Sequence, residues 1–380
     1  MLRSRLVCMT SSETVTGGTR PRPVVGRLPR YAAGKPAAAV DGLVSYKLSS
    51  NENPLPPLPA VLEAIAHQAD FNRYPDPLSS KLRAELSEFL GVPAEDIVTG
   101  AGSLGALNQL LATFAGRNED GTADEVIYAW RSFEAYPISV GLSGAESVPI
   151  PVTEDGRHDL PAMAAAVTDR TKVILLCTPN NPTGPALGAA ETEDFIRLVP
   201  PHVVVVIDEA YQEFVRAQDA AEGIALYRRY PNVVVLRTFS KAHGLAGLRV
   251  GYSVSNPGLT QYLRVAATPF AVSQIAEKAA MVSLQNYSQV VERVQSIVDE
   301  RDRVTAGLRS LGWFVPDAQG NFVWLGLRAD SAEFAELAAS KALSVRAFPG
   351  EGVRVSIGEA EANSRFLQLC ATYTKGRIRS

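Results

Sequence analysis

The sequence predicts an α/β fold in which helices flank a mostly parallel sheet, joined to a smaller α+β domain. The first observation is a set of continuously apolar runs in the middle of the chain, at residues 125–128, 173–177, 203–207 and 233–236. Strands buried on both faces of a parallel sheet have this uninterrupted apolar character, whereas half-exposed strands alternate. The second observation is that helical patterns separate the runs, as βαβ crossovers require.

The last third of the chain has a different pattern. Apolar residues recur at helical spacing from Tyr287 to Leu311, Val291 among them, and Gly312 follows as a C-cap. Two strand-like segments follow this long helix. We therefore expect four regions, namely a flexible tail (1–27), an N-terminal arm that joins the small domain or wraps onto a partner (28–53), a large domain (54–269) and a small domain (270–380).

Composition narrows the possible partners. The chain has 380 residues, 46% of them hydrophobic, and a net charge of −3, so we expect a small-molecule substrate and no nucleic acid. Three scattered cysteines are too few for a disulfide framework or a zinc site, which predicts no metal and a reducing, cytoplasmic setting. No segment approaches the roughly 18 to 20 apolar residues of a membrane helix.

A lysine in the segment 238–249 is the first candidate for chemistry. Lys241 stands between small hydroxyl residues and a glycine-rich run, and Arg249 follows it. A lysine can form a Schiff base with an aldehyde, while Arg249, with the hydroxyls of Thr238 and Ser240, can hold a phosphate. An aldehyde and a phosphate on one ring describe pyridoxal 5′-phosphate (PLP). The alternative is an ordinary surface lysine, because Ser-Lys pairs are common.

A carboxylate stands at the end of one predicted strand. Asp208 follows the valine run, and ligands of open α/β sheets bind beyond the carboxyl ends of the strands. A carboxylate beside a pyridine nitrogen keeps that nitrogen protonated. Tyr211 could donate a hydrogen bond to the phenolic oxygen of the ring. Alternatively, Asp208 caps a helix and Tyr211 is a core residue.

Two loops add further candidates. In Thr178–Gly184 two prolines and a glycine impose a rigid loop from which Asn181 can donate its amide, although a simple turn has similar composition. A glycine-rich turn at Gly102 and Ser103 opens a helix, where free N–H groups attract phosphate. Arg354 lies on an apolar strand and could bind a substrate carboxylate, or else pair with an internal one.

Taken together, these motifs resemble the fold-type I PLP aminotransferases of the aspartate aminotransferase superfamily. They occur in the order glycine-rich turn, Asn-Pro-Thr-Gly, Asp-Glu-Ala-Tyr and Ser-Lys with a trailing arginine, and the resemblance covers residues 28 to 380. Within the superfamily, Asn51–Pro54 and Arg73–Pro77 resemble the histidinol-phosphate and aromatic aminotransferase branch. The large domain would then have the PLP-transferase fold.

The resemblance implies a role for each matching residue. Lys241 would form the Schiff base and move the proton, and Asp208 would pair with the pyridinium nitrogen. The other cofactor contacts would be Asn181 and Tyr211 at the ring oxygen, Phe133 stacked on the ring, and Gly102, Ser103, Thr238, Ser240 and Arg249 at the phosphate. Tyr74 would reach the phosphate of a neighbouring subunit, which implies a homodimer with shared active sites. Substrate contacts would come from Arg354, Arg346, Asn51 and Tyr31.

The substrate prediction rests on finer features. The segment 240–249 resembles actinobacterial aromatic (phenylalanine) aminotransferases, and Gly102-Ser103-Leu104 replaces the Ala-Asp-Glu that is frequent in histidinol-phosphate enzymes. We expect ping-pong transfer from an aromatic amino acid to 2-oxoglutarate. Histidinol phosphate, a PLP decarboxylase or lyase, and a non-catalytic PLP-binding regulator are the alternatives. His243 is either a packed structural residue, which we favour, or a ligand contact.

Overall fold

Twelve strands lie within residues 20–378, the part of the chain that the computed structural model describes. In chain order they are β1 (Tyr46–Lys47), β2 (Ile97–Gly100), β3 (Glu125–Trp130), β4 (Glu146–Pro151), β5 (Thr171–Cys177), β6 (Val204–Asp208), β7 (Val233–Thr238), β8 (Gly251–Ser255), β9 (Phe322–Leu325), β10 (Leu343–Ser344), β11 (Arg346–Phe348) and β12 (Gly352–Ser356).

The α-helices of the same residues connect and cover these strands. They are α1 (Pro59–Ala66), α2 (Ser80–Leu90), α3 (Gly102–Phe114), α4 (Tyr136–Ser143), α5 (Leu160–Ala165), α6 (Ala189–Leu198), α7 (Gly223–Arg229), α8 (Pro257–Ala266), α9 (Gln274–Gln285), α10 (Tyr287–Ser310), α11 (Ser331–Ser340) and α12 (Ala360–Ile378). None of them combines the length and the apolar character that crossing a bilayer requires.

A seven-stranded sheet in the order β2-β8-β7-β6-β5-β3-β4 forms the centre of the fold. Strands β3 to β7 pair in parallel, and β8 runs antiparallel to both of its neighbours. The two faces of β6 show why its sequence is continuously apolar: Val205 and Ile207 pack into one core cluster, while Val204 and Val206 pack into the other. The predicted α/β class with a mostly parallel sheet is confirmed.

The parallel strands place several candidate residues at one edge. Strand β6 ends at Asp208, the Asn181 loop follows β5, and Ser240 and Lys241 follow β7. Because β5, β6 and β7 are neighbours and run in the same direction, their carboxyl ends meet at the same edge of the sheet.

The C-terminal part contains a smaller antiparallel sheet in the order β11-β12-β9, packed with helices. The predicted long helix is confirmed as α10, and Gly312 follows it with a φ of +85°. Val291, assigned to its apolar face, is 45% exposed; the adjacent Val290 is buried instead. Val290 and Val291 fit the helical spacing of the apolar residues almost equally well, so spacing alone does not show which of the two is buried.

The N-terminal arm contains a short strand that pairs with a distant part of the chain. Strand β1 pairs in parallel with β10, and Leu48 donates its backbone N–H to Ser344. A two-residue strand with a distant partner has no periodic signature of its own. Residues 1–19 of the predicted tail lie outside the described part, and Val25–Arg27 forms a short 3-10 helix. The domain limits at residues 53 and 269 stay predictions.

Candidate active site

A cavity of about 340 Å³ lies at the carboxyl edge of the central sheet and extends to the small sheet. It brings together most of the predicted site residues, drawn from distant parts of the chain. Those that line it are Tyr31, Ser103, Phe133, Asn181, Asp208, Tyr211, Thr238, Ser240, Lys241, Arg249, Arg346 and Arg354. The predicted residues outside its walls are Gly102, Asn51 and Tyr74.

Lys241 is half-buried at the floor of the cavity, where it follows β7. Its Nζ atom donates hydrogen bonds to the carbonyl oxygens of Ser50, at 3.3 Å, and Asn51, at 3.2 Å. Burial and, to a smaller extent, the positive charge of Arg354 together lower the pKa of this amine to about 7. A large neutral fraction at neutral pH is what nucleophilic attack on an aldehyde requires.

This lowered pKa predicts how the cofactor-free protein reacts with PLP. The neutral amine is the reactive form, and its fraction rises as pH increases through the pKa. We expect the rate of covalent attachment, followed by stopped-flow absorbance, to rise with a midpoint near pH 7 rather than near the usual 10.5. The Arg354→Gln variant should move the midpoint upward. An unshifted midpoint near 10.5 would contradict the assigned environment of Lys241.

Asp208 has one oxygen engaged and one free. Its Oδ2 atom accepts a hydrogen bond of 2.8 Å from the Tyr136 hydroxyl, whereas the buried Oδ1 has no partner among the described residues. Burial raises the pKa of the carboxyl to about 6, and the Tyr136 hydrogen bond opposes that rise. An unpaired buried carboxylate oxygen at a cavity wall fits a protonated ring nitrogen. The helix-cap alternative is wrong, since the next helical turn begins after Tyr211.

The residues expected at the ring oxygen are held by neighbours. The Tyr211 hydroxyl accepts a 3.0 Å hydrogen bond from the Asn51 amide, and burial raises the pKa of that hydroxyl. Asn181 accepts from Arg354 through its Oδ1 atom at 2.6 Å, so its own amide remains able to donate. Asn51, predicted to contact substrate, is buried outside the cavity walls, where its amide contacts the Tyr211 hydroxyl and its carbonyl oxygen contacts Lys241.

A second group of residues forms a site for a phosphate. Arg249 donates to the Ser240 hydroxyl at 3.2 Å, and the Thr238 hydroxyl donates to the same oxygen at 3.0 Å. Helix α3 begins at Gly102 beside them, with free N–H groups. Gly102 has a φ of +75°, and a Cβ atom there would lie 2.3 Å from an Nη atom of Arg249. Glycine is therefore required at this position.

The far wall of the cavity contains two arginines in different states. Arg354 is buried and donates to the neutral oxygens of Asn181 and Ser49. Within residues 20–378 it forms no ion pair, so the internal-carboxylate alternative is wrong for Arg354. An internal carboxylate does pair with Arg346, whose guanidinium donates to both carboxylate oxygens of Glu134, at 3.2 and 2.6 Å. The buried Nε atom of Arg354 has no hydrogen-bond partner among the described residues.

Three further residues complete the comparison with the sequence. Phe133 lines the cavity, and its ring meets that of Tyr136 edge-on at 5.6 Å. Tyr74 lies away from this cavity, is 81% exposed and stacks on Phe270. His243 is buried outside the cavity, with Nδ1 2.7 Å from the Ser283 hydroxyl. The packed role is therefore the one the structure supports for His243.

Sequence reasoning missed two contributors, Glu134 and Tyr136. Each becomes recognisable only through its partner, because Glu134 meets Arg346 and Tyr136 meets Asp208 across long stretches of chain. Their positions in the sequence next to Phe133 are a weak indication that they belong to the site, because residues beside a ring-stacking aromatic lie near the ligand. No motif marks either residue.

These features define the class of the protein: an enzyme of the fold-type I group, with a buried amine, a buried carboxylate and a candidate phosphate site at one edge of its sheet. A family model for aminotransferase class I and II matches residues 45–377, and the chain belongs to this family. It is an aminotransferase, and its cofactor is PLP. The orphaned Asp208 oxygen and the phosphate site at Gly102 fit that cofactor.

Named relatives place the chain more closely. It is 53% identical to an aromatic amino acid aminotransferase of Streptomyces avermitilis, over 92% of this chain and 96% of the relative. It is 52% identical to one from Streptomyces coelicolor, with the same coverage. A solved structure of Sinorhizobium meliloti histidinol-phosphate aminotransferase in complex with PLP matches with a TM-score of 0.83 and 26% identity, covering 96% of this chain and all of that one.

Proposed function

We propose that the enzyme transfers the amino group of an aromatic L-amino acid to 2-oxoglutarate. The products are the aromatic 2-oxo acid and L-glutamate, formed in two half-reactions with ping-pong kinetics. The two Streptomyces relatives, each more than half identical to this chain, are named for aromatic amino acids. The observation that carries the proposal is that Arg354, which forms no ion pair within the described residues, shares a cavity with Phe133 and Tyr31. One carboxylate and one aromatic ring fit this combination.

The site residues divide the work among binding, charge control and proton transfer. When bound, PLP supplies a ring that accepts electron density from the substrate α-carbon. Arg354 binds the substrate carboxylate through two N–H groups, and Asn181 holds that arginine in place. Asp208 would keep the ring nitrogen protonated, because its buried Oδ1 atom has no partner among the described residues. Lys241, whose amine lies in the same cavity, would act as the base that takes the proton from the substrate α-carbon and then returns it as an acid.

The same proposal includes a homodimer with shared active sites. Tyr74 and Phe270 form an exposed aromatic pair at the surface, and their rings stack at 4.7 Å. Exposed aromatic groups of this kind are typical of interfaces. A second copy that covers them would bring Tyr74 towards the neighbouring cofactor phosphate. A cytoplasmic setting, with no membrane or nucleic-acid partner, agrees with the free buried thiols of Cys177 and Cys370.

A substrate comparison tests the proposed function. We expect kcat/KM for phenylalanine and tyrosine, each with 2-oxoglutarate, to exceed that for histidinol phosphate by about tenfold or more. A tenfold ratio corresponds to about 1.4 kcal/mol. A higher kcat/KM for histidinol phosphate would contradict the proposal and support the alternative function, histidinol-phosphate aminotransferase. Release of carbon dioxide from phenylalanine without phenylpyruvate would instead indicate a decarboxylase.

A further inference from the structure

The two arginines of the far wall are direct neighbours across two strands. Arg346 on β11 is in register with Arg354 on β12, and both line the cavity. Side chains that stand opposite in an antiparallel pair lie on one face of the sheet, with Cβ atoms about 4.5–5.5 Å apart. Two cations therefore face the same substrate space, and like charges so placed repel each other.

Glu134 compensates one of these charges. It lies in the segment after β3, and its carboxylate accepts hydrogen bonds from Nε and Nη2 of Arg346 at 3.2 and 2.6 Å. The Arg346 and Glu134 side chains are 14% and 23% exposed, so the pair is largely shielded from water. Arg354 instead donates its hydrogen bonds to neutral oxygens, those of Asn181 and Ser49.

The charges of this wall can therefore be counted. Arg346 and Glu134 cancel, and Arg354 leaves a single positive charge facing the substrate. A carboxylate carries one negative charge and matches that sum. A phosphate monoester carries about −1.5 to −2 at neutral pH, so part of its charge would remain uncompensated in a cavity with little water.

We propose that Glu134 is a specificity-determining residue, which neutralises Arg346 so that the group bound at Arg354 is a carboxylate rather than a phosphate. The inference rests on the proposed function and names the feature that sets its substrate class. A phosphate that recruited Arg346 would have to break the ion pair and leave the Glu134 carboxylate unpaired beside a second anion. Breaking a shielded pair in this way is costly.

The variant Glu134→Gln tests this role, because glutamine keeps the size of the side chain and an oxygen for Arg346 but removes the charge. The probes are 3-phenylpropionate, with one negative charge, and phenyl phosphate, a dianion with the same ring. Both are titrated calorimetrically into the PLP-loaded enzyme. We expect the affinity for phenyl phosphate, relative to 3-phenylpropionate, to rise about tenfold, or about 1.4 kcal/mol.

A second ion pair provides the matched control. Arg131 and Glu351 join the same two segments of chain as Glu134 and Arg346, but neither residue lines the cavity. The Glu351→Gln variant therefore removes a comparable contact without changing the charge of the site, and its probe ratio should equal that of the wild type. Retained cofactor absorbance and melting temperature show that both variants are folded.

Two results would overturn the proposal. One is an unchanged probe ratio in Glu134→Gln; the other is an equal shift in Glu351→Gln, which would mean that loosening of the two segments, not charge, controls selectivity. Failure of the proposed function appears in a different measurement. It would show as absent phenylalanine transamination by the wild-type enzyme, whatever the probe ratio of the variants.

Discussion

The Lys241→Ala variant is expected to lose transamination by about 10⁴-fold or more in kcat, the scale typical for removal of a catalytic nucleophile. Two functions disappear together in this variant. The variant lacks the amine, with its pKa of about 7, that would bond to the cofactor aldehyde, and it also lacks the base proposed to move the α-carbon proton. Noncovalent contacts through Arg249 and Asp208 should still retain some PLP.

Steady-state kinetics and the absorption spectrum measure this prediction together. The variant should lose both turnover and the band of the lysine-bound cofactor, while circular dichroism remains that of the wild type. Lys278→Ala is the matched control, because that lysine is exposed on α9 and should leave both readings unchanged. Survival of the band and of turnover in Lys241→Ala would refute the role of Lys241.

The Asp208→Asn variant is expected to lose about 10³-fold in kcat, comparable with the removal of a preorganised electrostatic contact. An amide cannot balance the positive charge of a protonated ring nitrogen, so the cofactor becomes a poorer electron acceptor. The cavity should keep its shape, because Asn has the size of Asp and its oxygen can accept the Tyr136 hydrogen bond. The loss should therefore fall on kcat more than on KM.

Tyr136→Phe separates the charge of Asp208 from its hydrogen bonding. This control removes the 2.8 Å contact to Oδ2 but leaves the carboxylate and its free Oδ1. We expect a smaller loss, of about tenfold to a hundredfold, which is the range for one hydrogen bond to a charged group. Equal losses in Asp208→Asn and Tyr136→Phe would mean that Asp208 acts by holding Tyr136, and not through its charge.

The sequence predicts the large sheet well because burial on both faces leaves a local mark. Residues 204–207 of β6 are apolar on both faces of the sheet, and the run 203–207 shows this without knowledge of any partner. The pattern also predicts that the motif residues lie close together, because the carboxyl ends of parallel strands meet at one edge of the sheet. Asp208 and Lys241 are therefore brought together by topology that the pattern already contains.

Other features depend on contacts that a local pattern does not contain. Glu134 pairs with Arg346 across 212 positions, and neither residue type nor spacing indicates that partner. Asn51 was expected in the substrate site because it belongs to a motif, yet its amide orients Tyr211. Strand β1 forms because its backbone pairs with that of β10, which lies far away in the sequence. Each of these is decided by tertiary structure.

Peptide mapping after borohydride reduction tests the central claim most directly. Reduction fixes the bond between PLP and the amine that holds it, and mass spectrometry of the digested holoenzyme then identifies the labelled residue. We predict a single stoichiometric label on Lys241, in the segment that follows β7. A label on any other lysine, or no label in enzyme that turns over, would contradict the assignment of this cavity as the active site.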